Sequence, residues 1–173
     1  MQALHIRAAT PADLPRLTEI YNHFVIHTHV TFDIEPYTVE SRGAWFGQFG
    51  PRGRYRLLVA EDEAGIVGYA GTTRYRVKAA YDSTVETTVY CAPGEDRKGI
   101  GGKLYAALFE SLAGEDIRTI VAAYTLPNPA SVALHARFGF KLVGVFHENG
   151  RKLGRYWDVA WAERSLILSS NAV

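Results

Sequence analysis

Between Cys91 and Leu104 the apolar pattern of this chain changes period, and that change constrains the fold more than any other feature. Upstream lie three strand-like runs, "YRLLVAE" (55–61), "IVGYAGTTRYR" (66–76) and "STVETTVYC" (83–91). A short Glu-Ala-Gly turn joins the first two, so the three predict an antiparallel meander. After Gly101, Leu104, Ala107, Leu108 and Leu112 recur at helical spacing, and Gly114 supplies a stop. Strands that feed a helix through a glycine turn must be stacked in layers around one core.

The remaining segments fit that layering. A short strand at 4–8 precedes Thr10, Pro11 and Asp13, a helix-start signal for a face bearing Leu14, Leu17, Ile20, Tyr21 and Phe24, although Pro15 makes the start irregular. Thr38 caps a short second helix with Ala44, Trp45 and Phe46, which the glycines and proline at 50–53 close. "RTIVAAY" (118–124) reads as a buried strand, "PASVALHARFG" (129–139) as a helix, and "KLVGVF" and "RYWDVAWAERSL" as closing strands. The expected order is β, α, α, β, β, β, α, β, α, β, β, a mixed-sheet α/β or α+β fold. No repeat or linker divides the 173 residues, so one domain covering 1–173 is expected, long enough to bury roughly two-thirds of its unfolded surface.

Composition excludes several functions. With 47% apolar and 21% charged residues the chain has the balance of a soluble globular protein, and a net charge of +1 gives a nucleic-acid polyanion nothing to grip. No run approaches the roughly 18 apolar residues of a membrane span. The single cysteine, Cys91, forbids an intrachain disulfide and a multi-cysteine metal site, which fits a reducing, cytoplasmic setting. His23 and His27 stand one helical turn apart, but without an HExxH motif no metal site is expected.

The turn itself, "EDRKGIGGKLY" (95–105), carries three glycines in four positions between a strand and a helix. Unpaired N–H groups of a first helical turn, approached closely through glycines, form a pyrophosphate seat. Walker A spelling fails because Leu104, not Ser or Thr, follows Lys103, and the dinucleotide fingerprint fails because Leu104 stands where its third glycine belongs. From the glycines alone, a ligand-free turn is an equal alternative.

A second segment decides between them. "NPASVALHARFGF" (128–140) places Asn128, Ser131 and His135 before Gly139-Phe140, and together the two segments resemble the acyl-CoA-binding core of the GNAT N-acetyltransferase superfamily. "YNHFVIHTHVTFDIEP", "STVETTVY", "TLPNPASVALH" and "GRKLGRYWDV" further resemble, in order, the phosphinothricin N-acetyltransferase group. The resemblance implies a mostly antiparallel central sheet flanked by helices, acetyl-CoA as acetyl donor, a small amino-acid-like amine such as phosphinothricin, methionine sulfoximine or methionine sulfone as acceptor, and a homodimer. It implies cofactor contacts at Val89, Tyr90 and Cys91 in the strand, at Asp96, Arg97, Lys98, Gly99, Ile100, Gly101, Gly102 and Lys103 in the loop, and at Asn128 and Ser131. Asp96 departs from the pattern, since Arg or Gln usually stands there; Arg97 and Lys98 are the compensating cations.

An ammonium must lose a proton before it attacks a thioester, and a nearby carboxylate is the natural acceptor. Strand alternation puts Glu86 on one face with Thr84, Thr88 and Tyr90. It reads either as a solvent-facing strand residue or as the base, and the resemblance selects the base. His135 occupies the position where many family members carry a tyrosine that protonates the departing thiolate, so it is either that acid or a packed residue near a helix end. Cys91 has no histidine near it in sequence, and a ping-pong route is rejected. Arg74 and Arg76 suit bidentate capture of a substrate carboxylate or phosphinate, with scattered solvated cations as the alternative. Phe32 resembles the aromatic wall of the substrate pocket, and "GRKLGR" (150–155) reads as a solvated loop near a dimer contact. The competing functions are acetylation of another amine (an antibiotic, a polyamine, a peptide N-terminus) and a non-catalytic acyl-CoA sensor.

Overall fold

The computed structural model describes residues 4–95 and 99–166. Its elements follow the expected order: β1 (His5–Ala8), α1 (Leu14–His27), α2 (Val39–Phe46), β2 (Leu57–Asp62), β3 (Gly65–Arg74), β4 (Thr84–Cys91), α3 (Ile100–Ser111), β5 (Thr119–Leu126), α4 (Pro129–Arg137), β6 (Lys141–Lys152) and β7 (Arg155–Ser165). The strands form a seven-stranded sheet in the order β1-β2-β3-β4-β5-β7-β6. Every neighbouring pair is antiparallel except β4–β5.

Two apolar clusters cover the two faces of the sheet. On one face Leu17 and Ile20 of α1 bury against Leu57, Val59, Tyr69 and Ala92. On the other, Leu104, Leu108 and Leu112 at the helical spacing of α3 bury against Val85, Ile120, Ala122 and Phe140. The irregular start of α1 has a simple resolution. A single 3-10 turn, Pro11–Asp13, comes first, so Pro15 falls in the first turn of α1, where its missing N–H leaves no bond unmade. Asp13 holds that corner by accepting from the Thr10 amide at 2.7 Å and from both terminal nitrogens of Arg7, and the guanidinium holds its carboxyl down at about 2.

The parallel pair is short. β4 and β5 are in register only from Thr84–Thr119 to Glu86–Val121. Beyond that point β4 stays with β3 as far as Cys91, while β5 stays with β7 as far as Leu126. The sheet therefore forks, and the first turn of α3 lies against the fork through Gly101, whose Cα is bare toward Val89, Cys91 and Leu134.

Two boundaries differ from the sequence reading. β3 ends at Arg74, which leaves Arg76 beyond the strand. The expected solvated loop "GRKLGR" is the tip of the β6–β7 hairpin, turned by Leu153 and Gly154, both at positive φ, as two-residue hairpin turns require. Its cations do not share one environment: Arg151 lies over Tyr156 and Arg155 over Trp157, while Lys152 is only 5% exposed. The Lys152 ammonium donates to the Thr31 carbonyl at 2.8 Å and to the Phe24 carbonyl at 3.3 Å, tying the hairpin to the segment after α1. Lys152→Met keeps the length of the side chain but takes the ammonium donor from the Thr31 carbonyl, while the Phe24 carbonyl keeps Thr28, and is expected to lower unfolding free energy by about 1–3 kcal/mol in urea titrations. A solvated lysine would change it by less than about 0.5 kcal/mol.

Candidate active site

The fork opens into a cleft of about 650 Å³. Its walls come from both faces of the sheet: β4 from Thr87 to Cys91, Ala123 and Tyr124 of β5, the start of α3, one face of α4, and Phe24 and Val30 from the α1 side. Glu86 and Val121, the last paired residues, stand at its vertex.

Backbone parity fixes what β4 presents. The Ala92 amide donates to Val67 of β3 at 2.8 Å, so residues of the opposite parity, Thr87, Val89 and Cys91, turn their backbone groups toward β5. Past the vertex β5 has left, and the Val89 N–H faces the gap. This donor and the first-turn amides of α3 suit a ligand that carries a carbonyl at one end and phosphates at the other. Gly99 begins α3 in the left-handed region at φ 73°, with no side-chain cap, so it leaves the helix N-terminus uncovered.

Of the expected cofactor residues, Val89, Tyr90, Cys91, Gly99, Gly101, Gly102, Asn128 and Ser131 line this cleft. Ile100 turns into the core at 3% exposure and Lys103 points to solvent, so any role of theirs falls to the backbone of the turn. Asp96, Arg97 and Lys98 lie outside the described residues. Asn128 has a task before any ligand arrives: its side-chain oxygen accepts from the Ser131 amide at 3.0 Å and caps α4.

Glu86 lies on the α1 face with Tyr90, as alternation predicts, and is half-buried, with no ion pair among the described residues. Burial alone pushes its pKa above the ordinary carboxylate value, which strengthens it as a proton acceptor. His135 lines the cleft at 5% exposure, stacked on Tyr124 with ring centroids 5.0 Å apart. Its Nδ1 lies 2.7 Å from the Ser131 carbonyl, which can only accept, so the neutral ring carries its proton there. Nε2, 3.1 Å from the Tyr105 hydroxyl, is then the acceptor. Burial lowers the His135 pKa and favours this neutral form. In this arrangement the proton of the neutral His135 ring points to the Ser131 carbonyl rather than into the cleft.

The expected substrate residues are not gathered here. Arg74 donates to Asp82 at 3.2 Å near the surface, and Arg76 is exposed over Tyr75 and Tyr81. Neither is among the residues that line the cleft: Arg74 pairs with Val85, one residue outside the Glu86 vertex, and Arg76 lies beyond the end of β3. Phe32 packs against the hairpin, with ring atoms 2.2 to 2.6 Å from where a Cβ on Gly150 would stand. Residues not anticipated from the sequence do border it: Tyr105, Tyr124 and Arg137. Gly101, Gly102 and Tyr105 share one side of α3, Asn128, Ser131 and His135 recur at helical spacing along α4, and Arg137 stands one turn after Leu134 on a neighbouring side of that helix.

Comparison with known proteins places this geometry. An acetyltransferase (GNAT) domain model matches residues 6–161. A phosphinothricin N-acetyltransferase of Streptomyces coelicolor is 52% identical over 165 residues, covering 94% of this chain and 96% of its own length. An L-methionine sulfoximine/L-methionine sulfone acetyltransferase of Pseudomonas aeruginosa is 36% identical over 162 residues, covering 93% and 94%. Among solved structures, a GNAT superfamily phosphinothricin acetyltransferase from Sinorhizobium meliloti in complex with AcCoA superposes with a TM-score of 0.87 at 34% identity, covering 94% of this chain and 88% of that one.

Glu86 and His135 carry opposite pH signatures. His135 has a depressed folded pKa, so its contribution to stability is present above the unfolded value of 6.5 and is lost as pH falls through the folded value. Glu86 has a raised folded pKa, so its contribution is present below the unfolded value of 4.5 and is lost as pH rises through the folded value. Urea unfolding between about pH 4 and about pH 8 is expected to show His135→Gln flattening the acid-side decline, and Glu86→Gln losing no stability at neutral pH.

Proposed function

The chain belongs to the GNAT acetyltransferase family, and on that premise we propose that it transfers the acetyl group of acetyl-CoA to the amine of a small amino-acid-like substrate of the phosphinothricin, methionine sulfoximine or methionine sulfone type. One observation carries the reading: the fork between β4 and β5 ends on a half-buried carboxylate with a raised pKa.

Acetyl-CoA supplies an activated thioester, and the residues of the chain do the rest. Glu86 takes the proton of the substrate ammonium, directly or through a water, and frees the nitrogen lone pair for direct attack in a ternary complex. The Val89 N–H meets the oxygen of the acyl carbonyl as charge gathers on it. His135 holds the Tyr105 hydroxyl and the floor of the cleft rather than supplying a proton. Arg74 stands one residue past the Thr73–Glu86 pair and meets the substrate anion from the rim, exchanging Asp82 for it; such an exposed ion pair is worth at most about 1 kcal/mol. Arg76 lends positive charge to the same approach, and Phe32 closes the substrate side against the hairpin.

The whole chain acts as one domain, in the cytoplasm, and as a homodimer. Supporting the dimer, Leu142, Val143 and Phe146 on the edge strand β6 are 62%, 64% and 58% exposed. Apolar groups on an open strand edge invite a second chain. Resistance to a toxic amino acid is the expected consequence of acetylating its amine.

Free-thiol release from acetyl-CoA tests the chemistry. Turnover is expected with phosphinothricin, methionine sulfoximine and methionine sulfone but not with polyamines, aminoglycosides or peptides, and Glu86→Gln should lower kcat about a hundredfold or more. A preference for the control amines would overturn the substrate class, and acetyl-CoA binding without turnover on any amine would identify a sensor. Sedimentation velocity is expected to give a dimer that Phe146→Asp converts to monomer.

A further inference from the structure

We propose that Arg137 is a cofactor-positioning residue, its guanidinium clamping the diphosphate of CoA against the first turn of α3. The inference rests on the acetyltransferase reading and adds to it a group outside the glycine turn.

α4 borders the cleft with Asn128 and Ser131 at its start and with Leu134 and Arg137, one turn apart, near its end. There α4 meets the first turn of α3 twice: Leu134 Cδ2 lies 3.5 Å from where a Cβ on Gly101 would be, and Arg137 Nη1 lies 3.3 Å from the same point on Gly102. Glycine inside a helix costs about 1 kcal/mol relative to alanine, so two in succession at 101 and 102 need a local reason. At Gly101 the reason is close packing. At Gly102 it is the room left for a guanidinium to rest against the helix.

That guanidinium has no carboxylate partner among the described residues, so its donors are not committed to an ion pair there. Its one aromatic neighbour, Phe138, lies 6.0 Å away. A planar fork of donors is thus parked beside uncapped first-turn amides, on the wall of a cleft that takes an anionic ligand. Phosphate oxygens match both the fork and the amides. The diphosphate is the part addressed, because the guanidinium sits at the amides and not away from them. The competing account is that Arg137 only offsets the negative end of the α4 dipole, in whose last turn it lies.

Calorimetric titration of CoA and dephospho-CoA into the unaltered protein, Arg137→Ala and Arg137→Lys separates these accounts, with thermal unfolding in parallel. The expected result for Arg137→Ala is a roughly 10- to 100-fold weaker Kd for both ligands, a shallower dependence of log Kd on salt, partial recovery in Arg137→Lys, and an unchanged KM for the amine. Three results would overturn the proposal: an unchanged Kd, a loss confined to CoA and absent with dephospho-CoA, or a lower Tm with Kd intact. No binding of CoA by the unaltered protein would remove the acetyltransferase reading itself, a pattern distinct from all three.

Discussion

The parting of β4 from β5 after Glu86 is the feature on which the rest of the molecule depends. Each strand keeps its other neighbour, β4 with β3 and β5 with β7, so the sheet forks without unravelling. What the fork gives up is the hydrogen bonding of one strand edge on each side, and buried backbone groups left without partners are costly. A ligand threaded between the strands restores those partners. The same geometry sets Glu86 at the vertex, the Val89 amide just inside it and the glycine turn of α3 at the mouth.

The α1 face is held by aromatic rings and two buried cations. Tyr90 of β4 packs edge-on against Tyr21, with ring centroids 5.2 Å apart, and tilted against Phe24 and Tyr69. Arg42, 5% exposed, lies 4.3 Å from the centre of the Tyr21 ring and 3.8 Å from that of Trp45. Facing ring electrons partly offset the loss of water around that guanidinium. Lys152 performs the equivalent task with carbonyls, anchoring the segment that follows α1. Tyr21 completes the anchor with its hydroxyl, which donates to Asp33 at 2.5 Å.

Much of this was legible in the sequence. Period alone located the strands and helices, because each presents one apolar face to a cluster, as Leu17 and Ile20 do on one side and Leu104 and Leu108 on the other. Alternation also assigned Glu86 to the face of Tyr90. What period does not encode is which neighbour a residue meets across the fold. "GRKLGR" has the charge of a solvated loop, yet Lys152 is drawn inward by carbonyls of Phe24 and Thr31. Arg74 and Arg76 have the chemistry of an anion site, but the direction of β3 puts them at the rim. His135 has the side chain of an acid, and only the distances to Ser131 and Tyr105 fix where its proton resides. Arg137 escaped notice because the faces of α3 and α4 were read for what they bury rather than for what they border.

Phe32 and Gly150 are far apart in the chain, yet the phenyl ring occupies the space in which any side chain at 150 would begin. The two positions therefore behave as one inherited unit. A larger residue at 150 is tolerable only with a smaller one at 32, and the order in which those changes arise decides whether a lineage crosses the intermediate. Variation in this part of the fold is thus channelled through a pair, and sequences that shrink the residue at 32 gain, at the same step, the freedom to rebuild the hairpin tip.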